Sequence, residues 1–165
     1  MIDSESASGG ETQLVLKLME LEKAGLSFEE IVKQIESYRD SVHTYFVLDN
    51  LETLRKNGRL SGIKAVVAST LNIKPVMIGV KGEIAQKSQS IGIKKALARM
   101  AALAAAEVEK SEERRLIITH CNEFSRAELV KNLILAERKF KECIVMDTRG
   151  ISSMYANDGG VIVTT

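Results

Sequence analysis

Residues that build metal sites and disulfide frameworks are scarce in this chain. Its 165 residues include two histidines, two cysteines, one proline and no tryptophan. There is no C-x-x-C pair, and neither histidine lies in a cluster of metal ligands, so the usual zinc spacings are excluded. Cys121 and Cys143 lie in apolar stretches, which favours buried free thiols in a reducing compartment over a disulfide. We therefore predict no metal site and no cofactor.

A strong net charge and long apolar runs are also lacking. Lysine and arginine number 23 and aspartate and glutamate 22, which gives a formal net charge of +1 and little support for a nucleic-acid partner. No run approaches the ~18 apolar residues that indicate a membrane-spanning helix. No basic segment followed by an apolar one opens the chain. We expect no membrane span and a cytoplasmic location.

The hydrophobic pattern predicts an alternation of helices and strands. Ser27 and Glu30 match a capping box that starts a helix at about Phe28. From residue 42 onward the predicted order is β-α-α-β-β-α-β-α-β-β, with the weak, polar stretch 84–90 as an edge strand. The fold class that follows is α/β, a layered domain with a mixed β-sheet and packed helices.

Two elements of this domain have more detailed patterns. The apolar run within 114–121 predicts a strand that is buried on both faces. Ser125 and Glu128 match a second capping box, which would open a helix to about residue 139. The inner face of that helix would present Leu129, Leu133 and Ala136.

A central stretch, 54–75, contains the end of one predicted helix and the whole of the next. Asn57-Gly58 provides the left-handed backbone that ends a helix, and Ser61 supplies a cap for the helix that follows. Arg59 lies in the polar turn between them. Two packed helices and a turn would account for this pattern without any ligand.

Three short strings, in this order, resemble the hallmarks of one protein family. They are Asn57-Gly58-Arg59-Leu60-Ser61, Asn72-Ile73-Lys74-Pro75 and Lys81-Gly82-Glu83-Ile84. The DegV family of bacterial lipid-binding proteins has a GGRIS string, then a helix, then NIKP and then DGKI. Together with the opening IDSESASGG, the three strings make the chain similar to this family from Ile2 to its end.

The start of the chain indicates a division into two parts. Residues 1–4 look like the end of a strand that is followed at once by a helix start, and this point lies well inside the chain of DegV relatives. The resemblance therefore implies that residues 1–40, with their helices, are the remainder of a truncated N-terminal α/β domain. Residues 41–165 would form the C-terminal DegV-like α/β domain.

A turn of small residues precedes the first helix. Free backbone N–H groups at a helix start, together with a serine hydroxyl, suit an anionic oxygen, although plain N-capping needs only one serine. In DegV proteins the matching serine–glycine turn helps to hold a fatty acid carboxylate between the domains. The resemblance thus implies Ser8 first and Ser6 second, with Gly9 and Gly10, as ligand-binding residues.

Arg59 and Tyr155 are the other candidate binding residues. Arg59 could simply bond the last carbonyls of a helix, but its place in the family string makes it a secondary candidate. Tyr155 matches a histidine in the HTGPG string of many relatives, and Ile91 stands where relatives commonly have an arginine. Both replacements remove charge-assisted hydrogen bonds to a carboxylate. The segment around Tyr155 could also be an ordinary turn.

Catalytic residues are hard to assemble from this sequence. His43 and His120 lie on separate predicted strands, and His120 and Cys121 would point to opposite faces of theirs. A phosphate-binding GxxxxGK loop is absent from the sequence. We therefore predict that the chain is not an enzyme.

The resemblance implies a lipid-binding function. The chain would hold one long-chain fatty acid in an apolar slot between two domains and present its carboxylate to a separate fatty acid kinase subunit. One alternative is an enzyme that acts on an acyl or phosphoryl group with Tyr155, Asp147 and Asp158. The other is an inactive fragment that lacks the walls of the first domain.

Overall fold

The chain forms a six-stranded sheet flanked by helices within residues 1–60 and 72–165, which are the residues that this computed structural model describes. The strands are β1 (Thr44–Val47), β2 (Ile73–Val80), β3 (Glu83–Ile91), β4 (Arg115–His120), β5 (Glu142–Asp147) and β6 (Val161–Thr164). The helices are α1 (Gly9–Lys23), α2 (Phe28–Arg39), α3 (Glu52–Lys56), α4 (Ile93–Glu107), α5 (Phe124–Glu137) and α6 (Gly150–Ala156). The helix predicted to start at Ser61 lies outside the described residues.

The sheet is mixed, which confirms the predicted fold class. Its strand order is β3-β2-β1-β6-β4-β5. Strands β4 and β5 run parallel, whereas the other neighbouring strands are antiparallel. As predicted, β3 is an edge strand with a polar, partly exposed sequence, and every residue of β4 is buried.

Helix ends follow the local sequence at two of the predicted places. The capping box of α2 is present, because the Ser27 hydroxyl accepts the Glu30 N–H at 3.3 Å and the Glu30 carboxylate accepts the Ser27 N–H at 2.8 Å. Helix α3 ends at Lys56 with Asn57 as its C-cap, and Gly58 follows with a φ of 69°, a conformation that glycine adopts without steric cost. Both predictions are confirmed.

Helices α4 and α5 seal one face of the sheet. Ala96 and Ala104 of α4 have no exposed surface, and their small side chains let the helix lie close to the strands. Tyr45, Ile118 and Val163, from three different strands, belong to the same buried cluster. Because side chains alternate along a strand, the residues next to them point to the other face.

The prediction for α5 is wrong in two respects. The Ser125 hydroxyl bonds the Glu123 carboxylate instead of capping the helix, which begins one residue earlier at Phe124. Leu129 and Leu133 are 39% and 38% exposed, respectively. The buried side is instead formed by Ala127, Val130 and Ile134. Apolar residues occur on both sides of this helix, so the sequence pattern alone does not identify its inner face.

Helix α1 covers the opposite face of the sheet, over β4 and β6. A side-chain carbon at Gly9 would lie 2.6 Å from Thr164 Oγ1, so only glycine permits this close approach. Gln13 is fully buried, and its amide donates to the Arg115 carbonyl at 2.8 Å. The assignment of residues 1–40 to a separate, truncated domain stays a prediction.

The orientation of α5 can be tested by two truncations of similar size. Ile134→Ala should lower the free energy of unfolding by about 2–5 kcal/mol, because it leaves a cavity in the core. Leu133→Ala, one residue earlier and partly exposed, should cost less than about 1 kcal/mol. Urea denaturation of both variants measures the difference. A larger loss for Leu133→Ala would contradict the observed helix face.

Candidate functional site

A cavity of about 630 Å³ opens on the face of the sheet opposite α4 and α5. It is bordered by the turn before α1, the end of α2, β1, the β2–β3 hairpin, the turn after α3, α6 and β6. Its volume lies within the ~300–1,000 Å³ of typical small-molecule sites. The cavity therefore has the size of a ligand site, and its walls come from both ends of the sequence.

Much of the cavity wall is apolar. Phe46 and Ile162 lie directly opposite each other on β1 and β6 and point to the same side of the sheet. Leu48, Leu54 and Ile84 continue this surface and belong to the same hydrophobic cluster. A wall of this kind favours a hydrocarbon ligand, because it offers few hydrogen-bonding groups and gains from apolar burial.

The serine turn borders this cavity through Ser6 and Ser8. Ser8 precedes α1 with φ 55° and ψ −123°, and its side chain makes no capping hydrogen bond. Its hydroxyl lies 2.9 Å from Thr119 Oγ1, and the Ser6 hydroxyl lies 3.3 Å from Thr44 Oγ1. The Ser8 side chain therefore does not act as a plain N-cap, which was one of the two interpretations of this turn.

Gly9 and Gly10 are buried and lie behind the cavity wall rather than in it. An added carbon at Gly10 would come within 1.9 Å of the Ser6 hydroxyl oxygen. The Gly10 N–H donates to the Ala7 carbonyl at 3.1 Å, so this amide already has a partner inside the turn. The glycines hold the turn against the sheet and thereby place the two serines.

Arg59 also borders the cavity, at the turn after α3. Its backbone N–H donates to the Leu54 carbonyl at 2.9 Å, which holds the turn closed after Gly58. Two further cations along the wall, Arg39 and Lys81, were not among the sequence candidates. Arg39 already pairs with Glu5 and Asp40, which reduces the positive charge that it can offer to a ligand.

His43 also borders the cavity, although the sequence placed it only on a predicted strand and not among the binding residues. It precedes β1, and its backbone exchanges two hydrogen bonds with Thr165. Partial burial lowers the pKa of the His43 imidazole, against the opposing attraction of Glu107. Burial thus favours the neutral form of the ring, which can offer a ligand a hydrogen bond but no charge.

The two departures from the family pattern lie in different places. Tyr155, on α6, borders the cavity and packs against the apolar cluster that forms its wall. Ile91 is 66% exposed at the far end of β3, seven residues from Ile84, or about 23 Å along the strand. Within the described residues, only Tyr155 of this pair is positioned to contact a ligand in the cavity.

A second, smaller cavity of about 250 Å³ lies at the carboxyl ends of β4 and β5. His120 and Cys121 both border it, because β4 ends at His120 and the chain turns at Cys121. Cys121 also packs against the apolar cluster around Phe46, and the expectation that these neighbours point to opposite faces stays a prediction. Asp147 borders the small cavity and Tyr155 the large one, so the residues of the alternative enzyme are not assembled in one site.

Residues 1–60 and 72–165 lack the features of a metal site and of a membrane span. This part of the chain contains no group of three or more histidine, cysteine or acidic residues placed to hold a metal. Among the described helices, none combines the length and the apolar sequence that a membrane span requires. The two cysteines are unpaired and partly buried.

Comparisons with known proteins agree on one family. The sequence model of the DegV family matches residues 1–163. A DegV domain-containing protein of Streptococcus pyogenes serotype M1 is 35% identical over 168 residues, which cover 99% of this chain and 58% of that protein. The chain thus spans less than two thirds of the length of the curated relatives that it matches.

Solved structures of DegV proteins superpose on nearly the whole chain. One from Ruminococcus gnavus, refined with vaccenic acid, has 50% identity and a TM-score of 0.95 over 99% of this chain and 58% of that one. The fatty acid kinase B3 protein of Streptococcus pneumoniae, loaded with linoleic acid, has 30% identity and a TM-score of 0.81 over 99% and 58%. A Eubacterium eligens protein loaded with heptadecanoic acid has 27% identity and a TM-score of 0.87 over 99% and 59%.

The sequence strings, the mixed sheet and these comparisons lead to the same conclusion. The family match extends over nearly every residue, and the chain belongs to the DegV family.

Proposed function

We propose that this chain binds one long-chain fatty acid in the cavity of about 630 Å³. The hydrocarbon tail would lie along the apolar surface around Phe46 and Ile162, and the carboxylate would face polar groups of the cavity wall. Ser8 is our first choice for a direct hydrogen bond, with Ser6, Arg59 and Tyr155 as further contacts. The observation that supports this proposal is that one apolar cavity brings these four candidates together.

The tail and the head group contribute differently to the binding free energy. Burial of the tail contributes about 0.8 kcal/mol per CH₂, so an acid of sixteen or more carbons gains most of its affinity from the wall. A hydrogen bond to a charged carboxylate adds about 1.5–3 kcal/mol. The head group therefore fixes the orientation of the ligand more than its affinity.

The ligands of the relatives support this assignment. The Ruminococcus, Eubacterium and pneumococcal proteins hold vaccenic, heptadecanoic and linoleic acid, respectively. These acids share a long chain and a carboxylate and differ in length and unsaturation. We infer the same ligand class for this chain. In this proposal Gly9 and Gly10 position the serine turn and do not contact the acid.

The finer part of the proposal concerns what happens to the bound acid. One relative is a fatty acid kinase component, which supports a role in which this chain presents the carboxylate to a separate kinase subunit in the bacterial cytoplasm. The chain itself would then catalyse no reaction. The separation of Asp147 from Tyr155 into two cavities favours this role over the alternative acyl- or phosphoryl-transfer enzyme.

Native mass spectrometry of the chain purified from bacteria tests the binding proposal. We expect a bound mass of one long-chain fatty acid, which reappears when delipidated protein is mixed with vaccenic acid. If binding fails in this chain but appears after fusion to the N-terminal part of the Ruminococcus relative, the inactive-fragment alternative is correct. Failure of both proteins would contradict a fatty acid site in this cavity.

Replacement of Ser8 tests the position of the head group. Ser8→Ala should weaken the binding of vaccenic acid about tenfold, because one hydrogen bond to a charged group is lost. Titration of delipidated protein, followed by calorimetry, measures the change. Ser90→Ala, on the edge strand β3 and outside the cavity lining, is the matched control and should leave affinity unchanged. Equal affinities for both variants would remove Ser8 from the site.

Gly79 offers a test of the tail position. It borders the cavity on β2, and a carbon added there would lie 3.7 Å from Thr44 Cβ, an ordinary contact. Gly79→Leu should therefore fill part of the cavity, whereas Gly79→Ala serves as the small control. We expect Gly79→Leu to weaken the binding of octadecanoic acid more than that of dodecanoic acid, since each displaced CH₂ costs about 0.8 kcal/mol of binding free energy. Equal losses for the two acids would place the tail elsewhere.

A further inference from the structure

Thr119 lies beneath the serine turn, on the face of β4 that α1 covers. Its side chain is only 2% exposed, and its hydroxyl oxygen lies 2.9 Å from that of Ser8. Thr119 does not border the cavity, whereas Ser8 does. The bond therefore links a buried group of the sheet to a group that a ligand can reach.

We propose that Thr119 is a positioning residue that directs the Ser8 hydroxyl hydrogen towards the carboxylate of the bound fatty acid. The inference rests on the proposed function and names a residue that does not itself touch the ligand. Each of the two hydroxyls has one hydrogen to donate and lone pairs that accept. When Thr119 donates to Ser8, the hydrogen of Ser8 is free to point into the cavity.

The chemistry of the ligand selects this direction. An ionised carboxylate only accepts hydrogen bonds, so Ser8 must donate to it and must accept from Thr119. A chain of bonds in one direction polarises each member and strengthens the bond at its end. Without the Thr119 hydroxyl, the Ser8 side chain would lose its donor and the constraint on its rotation.

The surrounding fold keeps the two hydroxyls within hydrogen-bonding distance. Gly9 packs against Thr164 and Ile117, and Ile117 lies two residues before Thr119 on the same face of β4. Ser8 itself has a φ of 55°, a backbone conformation that a non-glycine residue keeps only when its surroundings enforce it. The glycine contact and the hydroxyl bond together hold Ser8 over β4.

The test compares two Thr119 variants and two ligands of equal chain length. Thr119→Val keeps the approximate volume of the side chain and removes its hydroxyl, and Thr119→Ser restores a hydroxyl. We expect Thr119→Val to bind octadecanoic acid about tenfold more weakly, the order of one hydrogen bond, and Thr119→Ser to recover most of that loss. The affinity for octadecanol should fall less than about twofold. An alcohol both donates and accepts hydrogen bonds, so it tolerates either direction of the Ser8 hydroxyl.

Each outcome of the calorimetric titrations decides the question. An equal loss of affinity for acid and alcohol would show that Thr119→Val disturbs the fold of the turn. Unchanged affinity for the acid would show that Ser8 needs no partner. Either result overturns the positioning role. Unfolding curves identify any variant that fails to fold. If Thr119→Val does not fold, the test rests on Thr119→Ser, which should keep the preference of the unmodified chain for acid over alcohol. If the unmodified chain binds no fatty acid, the proposed function fails first and independently of Thr119.

Discussion

The close approach of the first turn of α1 to the sheet is the contact on which the candidate site depends. At Gly9 a side-chain carbon would meet Thr164 at 2.6 Å, and at Gly10 it would meet Ser6 at 1.9 Å. Two glycines therefore let the turn pack against the sheet, with Ser8 at a positive φ of 55°. A larger residue at either position would lift the turn and move the serine hydroxyls away from the cavity.

The two faces of the sheet have different roles because different helices cover them. Helices α4 and α5 pack their alanines and branched side chains on one face and leave a solid core. On the other face, α1 covers β4 and β6, and the surface around Phe46 and Ile162 borders an open cavity. The same strands thus contribute to the core on one side and to an apolar cavity wall on the other, because side chains alternate along a strand.

The polar groups around the cavity fit the proposed recognition of a carboxylate. Hydroxyls from Ser6, Ser8 and Tyr155 and the cation of Arg59 border one apolar space. Burial lowers the pKa of His43 and so favours its uncharged ring. The acidic residue Asp147 borders a different cavity. Holding and orienting an amphiphilic acid requires this combination of an apolar wall with a few donors, and it requires no general base.

The sequence by itself determined the family, the α/β class and the six strands along the chain, because capping residues, β-branched runs and family strings are local signals. It also named Ser6, Ser8, Arg59 and Tyr155, which the fold brings to one cavity. Only the tertiary structure decided the inner face of α5, where Leu133 proved exposed and Ile134 buried, since both sides of that helix are apolar. It alone placed Thr119 under Ser8, 111 residues away, because strand order and helix packing are long-range contacts that no local pattern encodes.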